Sequence, residues 1–326
     1  MRHLVLGMAP HLRGEAVLRL AGLFRDYGLV STAEHDLTAR HPRTRIRAVE
    51  ALGAMGVSEA EPWLLAGLGD DDRLMRFACA RALAALGATD SLARVVAALA
   101  DSEAQLGATS DILLAFGAPA TDFLCAHVRA APTERERWLA AHALGQMRAA
   151  EALEDLRAVL SSPDPELAVR AARGLGRIGS AEASTDLAVA AQGEQSWFVR
   201  AAAARSLGKI GDPDSAPLLV SLLATAERWE VRDAAAGALV DLGDPAMAIL
   251  VQGLGEMSDL SLAHYAGALD VADLLGAVIE RAAAGEAGPD ALMRRACGAG
   301  VRARLEEKAT GATAPAATYA RALLVS

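Results

Sequence analysis

One pattern of apolar and polar positions returns along most of the chain. IRAVEALGAMG from Ile46, MRFACARALAALG from Met75, RWLAAHALGQMR from Arg137, VRAARGLGRIG from Val169, VRAAAARSLGKIG from Val199 and VRDAAAGALVDLG from Val231 place apolar residues three and four apart. That is the spacing of a helix with one buried stripe. These segments share a leucine at Leu52, Leu83, Leu144, Leu175, Leu207 and Leu239. The weaker copy DILLAFGAP adds Leu113, so neighbouring anchors lie 30 to 32 residues apart. A period of that length marks an array of units that are each too small to bury an apolar face alone and must stack on their neighbours.

Four residues past the anchor stands Gly56, Gly87, Gly117, Gly179, Gly211 or Gly243, with Arg148 the exception. Glycine there predicts helix ends in the left-handed conformation. A turn such as GDPDSAP or GDPAMA follows, and then a second apolar stretch: PWLLAGL from Pro62, SLARVVAALA from Ser91, LEDLRAVL from Leu153, APLLVSLL from Ala216. Each unit therefore reads as two antiparallel helices, with Asp70 to Asp72 and Pro163 to Pro165 breaking one helix and capping the next. The expected fold is all-α, a right-handed α-solenoid of about nine to ten two-helix repeats. A capping region over residues 1–29 should precede the solenoid over 30–300, with degenerate capping helices over 301–326. Gly14 to Tyr27 reads as an N-terminal helix, and TGATAP, downstream of Glu306, as a break between the last helices.

Composition supports helices and narrows the partners. Apolar residues make up 53% of the chain and aromatics 4%, so the core is built from Ala, Leu and Val. The net charge of -9 weighs against nucleic acid as a partner, because the phosphate backbone rewards proteins rich in cations. Cys79, Cys125 and Cys297 are widely spaced and odd in number, which points to a reducing compartment and a cytoplasmic protein. The apolar run from Leu4 to Pro10 is far short of the roughly 20 residues that span a bilayer, so no membrane span is expected in this chain.

The VR-x-x-A-A-x-x-L-G-x-I-G phrase, the G-D-P turn and the period resemble the short bacterial HEAT-like repeats also known as the phycobilisome-lyase type, over about residues 30 to 300. The resemblance implies the solenoid and says little about function. APHLRGEAVLRLAGLFRDYGL, SWFVR and RWEVR together are similar to bacterial HEAT-repeat proteins that carry an amino-terminal membrane anchor and accompany membrane glycosyltransferases. That second resemblance implies a regulatory subunit associated with a membrane, although this sequence shows no anchor segment.

Positions that vary between copies while pointing away from the core carry the information about partners. On a helical wheel Val199, Ala203, Leu207 and Ile210 form the buried stripe, and Arg205 and Lys209 lie opposite. In solenoids of this kind the second helices line the concave face. The equivalents of Arg205 run Glu50, Arg81, Asp111, His142, Arg173, Arg205 and Gly237, so the row changes sign along its length. Arg170, Arg173, Arg177, Arg205 and Lys209 form a basic cluster over two adjacent repeats, suited to an acidic segment of a protein partner. Trp197 and Trp229 hold one place in successive repeats and offer either an apolar rim for the same partner or a seal between repeats. The arginines at Arg45, Arg76, Arg137, Arg200 and Arg232, interrupted by Ala168, predict a ladder of ion pairs and helix-end hydrogen bonds linking one repeat to the next.

Catalytic constellations are sparse. The seven histidines include no pair at helical metal-ligand spacing, and there is no Cys-x-x-Cys, so neither a metal nor a cofactor is expected. HEAT-like deoxyhypusine hydroxylases bind iron through His-Glu dipeptides, whereas this chain has the reversed Glu34-His35. A HEAT-like DNA glycosylase would need Asp111 or Asp241 as its carboxylate beside Arg173, Arg205 and Trp197, in a chain too acidic for the task. GLGRIG from Gly174 and the pair Gly208 and Gly211 lack a preceding strand and read as repeat terminators, not a phosphate loop. The sequence thus predicts a non-catalytic, monomeric scaffold for a protein partner.

Overall fold

The computed structural model describes residues 22–100, 106–193, 196–297, 302–311 and 313–325. Most of the N-terminal helix expected over Gly14 to Tyr27 lies outside them, and the chain is helical over 22–26. The chain divides into two compact units, Met1–Ala152 and Leu153–Ser326. The first contains α1 (Leu29–Asp36), α2 (Pro42–Ala54), α3 (Glu61–Gly67), α4 (Arg73–Leu86), α5 (Leu92–Ala100), α6 (Leu106–Ala115), α7 (Thr121–Ala130) and α8 (Glu134–Met147). The second contains α9 (Leu153–Val159), α10 (Pro165–Ile178), α11 (Ser184–Gln192), α12 (Trp197–Ile210), α13 (Ala216–Thr225), α14 (Trp229–Leu242), α15 (Asp244–Gln252) and α16 (Asp259–Val271). It closes with α17 (Leu275–Ala283), α18 (Ala287–Cys297), α19 (Arg302–Gly311) and α20 (Ala314–Val325). The described residues contain no strand, and the fold is an all-helical solenoid of helix pairs. Odd-numbered helices open each pair and even-numbered ones close it.

The anchors Leu52, Leu83, Leu113, Leu144, Leu175, Leu207 and Leu239 are all fully buried. Each contributes about 1.5–3 kcal/mol by leaving water. Within the first unit α2, α4, α6 and α8 pack successively, and within the second α10, α12, α14 and α16 do the same. Small residues beside the anchors set how close these helices come. A Cβ on Gly53 would stand 2.7 Å from Ala82, one on Gly176 2.7 Å from Ser206, and one on Gly208 2.6 Å from Ala238. In all three cases the residue after one anchor meets the residue before the next. Gly174, Gly176 and Gly208, expected to be terminators, therefore lie inside helices, and Gly176 and Gly208 are packing contacts.

The true terminators behave as the spacing predicts, with two refinements. Gly87, Gly179 and Gly211 end α4, α10 and α12 in the left-handed conformation, and Arg148 ends α8 there as well, at φ 52°, in spite of its side chain. Gly117 and Gly243 also have positive φ, but with ψ of -158° and -140°, a region that essentially only glycine enters. Short 3₁₀ turns such as Thr89–Ser91, Ala181–Ala183 and Pro213–Ser215 then lead into the next pair. Asp72 and Asp164 cap α4 and α10, accepting from Leu74 N at 2.9 Å and Glu166 N at 3.0 Å. The break expected near TGATAP falls after Gly311, where α19 ends.

The arginine ladder makes the helix-end hydrogen bonds expected of it, but mostly within a repeat and not from one repeat to the next. Its rungs are mainly hydrogen bonds to carbonyls at the end of the helix just before, inside one repeat. Arg76 Nη1 donates to the Asp70 carbonyl at 2.9 Å, Arg137 Nε to Val128 at 3.0 Å, Arg200 Nε to Ala191 at 3.0 Å and Arg232 Nη1 to Ala226 at 2.6 Å. A guanidinium there satisfies orphan carbonyls and complements the negative end of the helix dipole. Arg45 does both, donating to the Ala39 carbonyl at 3.4 Å and pairing with Asp70 of the next repeat at 3.9 Å. Ion pairs between successive repeats also come from residues outside the ladder: Arg81 with Glu50 at 2.8 Å and Arg205 with Asp233 at 3.4 Å.

Candidate functional site

In the second unit the even-numbered helices are flanked on both sides, so their buried face is wide. On α12, Val199, Ala203 and Leu207 are buried as the wheel predicts, and so are Ala201, Ala202, Ala204 and Ser206. Ile210 is half-buried, a departure caused by its place at the helix end. Arg205 and Lys209 emerge from the last turns of α12, and Arg173 from the equivalent place on α10, with Arg177 half-buried beside it.

Three of the five predicted basic residues act on a fourth, Arg173. The Arg173 guanidinium is held below its usual value first by burial and then by the charges of Arg170, Arg205 and Arg177, with Glu166 opposing them. Arg170 is the most enclosed of the group; it pairs with the Glu166 carboxylate and donates to the Glu166 carbonyl at 2.8 Å. Lys209 stands one turn beyond Arg205 and faces the neighbouring helix, where its charge partly offsets the rise that burial imposes on the Asp241 carboxyl.

The two tryptophans are surface residues. Trp197 is 40% exposed and Trp229 57% exposed, so neither is sealed into a joint between repeats. Each opens a helix whose N-cap residue, Ser196 or Arg228, makes no side-chain cap bond. Phe198 meets the Trp197 ring edge to face at 5.6 Å, and the Arg228 guanidinium lies 5.2 Å from that ring's centre. Arg228 also grips Glu230 with two hydrogen bonds of 3.1 and 2.7 Å. The result is a rim on which aromatic faces alternate with a fixed cation.

Beyond Arg205 the row of side chains stops. Gly237 holds the equivalent position on α14, and Gly267, two residues before the buried Leu269, holds it on α16. A hollow of about 460 Å³ opens there, with Arg205 and Lys209 on one wall, Asp233 and Asp241 from α14, and His264 and Arg304 opposite. The Arg304 guanidinium reaches over Gly267, where an added Cβ would stand 2.7 Å from Nη1. Burial, helped by Arg232 and opposed by Asp233, keeps the His264 ring below the usual histidine value. Sequence reasoning reached Arg205, Lys209 and Gly237 but missed His264, Gly267 and Arg304. Continuing the row one anchor further, from Leu239 to Leu269, finds the second glycine.

The family model for HEAT repeats matches residues 30–109, 121–207 and 186–266, more than half of the chain. The chain belongs to the HEAT-repeat family. No curated protein matches this HEAT-repeat chain. Among solved structures it is similar to a Kap121p mutant, with 13% identity and a TM-score of 0.58 over 99% of this chain and 38% of that one. Kap121p itself gives 12% identity and a TM-score of 0.51 over 99% and 44%. The chain thus spans less than half the length of these neighbours, and the likeness shows the HEAT fold alone. The complex of CpcE and CpcF of phycocyanin lyase from Nostoc sp. PCC7120 is more distant, with 21% identity and a TM-score of 0.32 over 76% and 94%.

Proposed function

We propose that this HEAT-repeat protein is a non-catalytic scaffold that holds an acidic segment of a protein partner along the exposed row of α10, α12 and α14. The observation that carries the reading is the convergence of Arg170, Arg177 and Arg205 on Arg173, in a chain whose net charge is -9. Like charges this close disfavour one another in the free protein, and an anionic segment lying across them relieves the repulsion while accepting bidentate hydrogen bonds. Trp197 and Trp229 supply exposed aromatic anchors at the helix starts, the residue type that dominates interface energetics.

The test is affinity capture from native lysate with the wild-type chain and with an Arg173→Glu, Arg205→Glu variant of matched thermal stability. A partner kept by the first and lost by the second, with binding that weakens as salt rises, supports the reading. A partner kept equally by both sinks it. A narrower form of the reading rests on SWFVR and RWEVR, which open α12 and α14 and resemble segments of proteins that accompany membrane glycosyltransferases. It predicts that the captured partner is a subunit of such a system. Among the described residues no single helix is long and apolar enough to cross a membrane, so the contact would be made by a surface of the solenoid.

A further inference from the structure

We propose that the hollow over Gly237 and Gly267 is a pocket for one carboxylate group, and that it seats an acidic side chain of an extended partner segment. The source of the carboxylate rests on the surface reading above; the pocket does not.

The glycines come first. From Glu50 to Arg205 every member of the row carries a polar side chain, and then two successive helices leave it out. Nothing lies within 4 Å of where a Gly237 Cβ would stand, and its backbone is not in the positive-φ region. Neither packing nor turn geometry therefore requires glycine there, and helix propensity disfavours it. The missing side chain leaves open a hollow of about 460 Å³, within the range of ligand pockets.

The walls then select the ligand. Arg205, Lys209 and Arg304 face Asp233 and Asp241, three cations against two carboxylates on the walls; outside the hollow Arg304 also lies 3.9 Å from Asp270, a carboxylate that Lys308 pairs at 3.4 Å. The excess of one positive charge suits a monoanion: its net attraction only doubles for a doubly charged phosphate, whereas the cost of stripping water from the ion grows with the square of its charge. Arg205 is half exposed and its bond to Asp233 is long at 3.4 Å, so its fork is open to a planar carboxylate. Gly237 lies eight residues after Trp229 on α14. That is about 12 Å along the helix, a distance that about four residues of extended chain span. An apolar residue on the tryptophan rim and a glutamate four positions away would reach both places.

The pocket is tested by following the His264 ring by NMR, assigned with His264→Gln, during titration with propionate, with inorganic phosphate, and with a capped Leu-Ser-Gly-Ser-Glu peptide and its glutamine counterpart. Propionate is expected to shift His264 saturably, with phosphate at least tenfold weaker. Gly237→Gln places in the room a long neutral side chain of the kind the row carries elsewhere; it should weaken propionate at least tenfold without lowering the thermal midpoint. Lys209→Gln, on an exposed residue, should weaken it three- to tenfold and provides the test if Gly237→Gln folds poorly. The glutamate peptide should bind at least tenfold tighter than its counterpart, and Gly237→Gln should abolish that preference. No saturable shift with propionate, an equal shift in Gly237→Gln, or tighter binding of phosphate overturns the pocket. If propionate binds while the two peptides do not differ, the pocket stands with a small free acid as its ligand and the partner segment is overturned. If both peptides bind equally through Trp197 and Trp229 while propionate is silent, the pocket falls, and the charge-reversed Arg173→Glu, Arg205→Glu variant decides the surface reading separately.

Discussion

The same row of positions behaves differently in the two units. In Met1–Ala152 its members alternate in sign, and Arg81 is held by Glu50 of the preceding repeat at 2.8 Å. In Leu153–Ser326 Arg173 is followed by Arg205, whose charge adds to burial in weakening the hold of Arg173 on its proton, and then by two glycines over a hollow. Register and buried anchors are shared. A change of residue at one position per repeat thus separates a surface that satisfies itself from one left with unbalanced charge and empty space, and this difference teaches where recognition on such a scaffold should be sought.

If the difference is confined to the surface, the cores should respond alike. Leu83→Ala in α4 and Leu207→Ala in α12 remove equally buried anchors and should each cost about 2–5 kcal/mol in urea unfolding. A cost confined to one of them would break the comparison. The helix ends provide a smaller contrast. Gly211→Arg should lose about 1–2 kcal/mol, the usual penalty for a left-handed residue with a side chain. Arg148→Gly should gain somewhat less, about 0.5–1 kcal/mol, because glycine also loosens the unfolded chain. Thermal unfolding of the pair checks the sign, and a loss on Arg148→Gly would mean that the Arg148 side chain makes a contact worth more than its strain. The smallest effect concerns pH. Because burial lowers the folded-state value of His264, the unfolded chain takes up that proton first as acid is added. The contribution is therefore fully present above the unfolded histidine value and is lost as pH falls through the folded one. Stability measured at pH 7.5 and pH 5.5 should drop less in His264→Gln than in the wild type; an identical drop would remove His264 from the account.

The fold was legible because its signal is repeated. Seven leucines at one spacing, each followed four residues later by a residue at positive φ, are hard to produce by chance, and even the exception at Arg148 adopts the conformation its position demands. The surface was legible in part. Arg173 and Arg205 follow from the helical wheel, but whether a guanidinium finds a carboxylate or a carbonyl depends on the end of the helix next to it. That is why the expected ladder of ion pairs and helix-end hydrogen bonds proved to be mostly the latter, made within one repeat. The hollow was harder still, since it is made by what is missing at Gly237 and Gly267 and is closed by Arg304 from a helix outside the regular pattern.

The arginine clamps have a consequence for how such a chain grows. Arg76, Arg137, Arg200 and Arg232 each reach back six to nine residues, never into another repeat. A duplicated or deleted stretch of one full period therefore carries its own clamp with it. Lineages of this scaffold can lengthen or shorten by whole modules, with selection left to act on the one outward position that each new module brings.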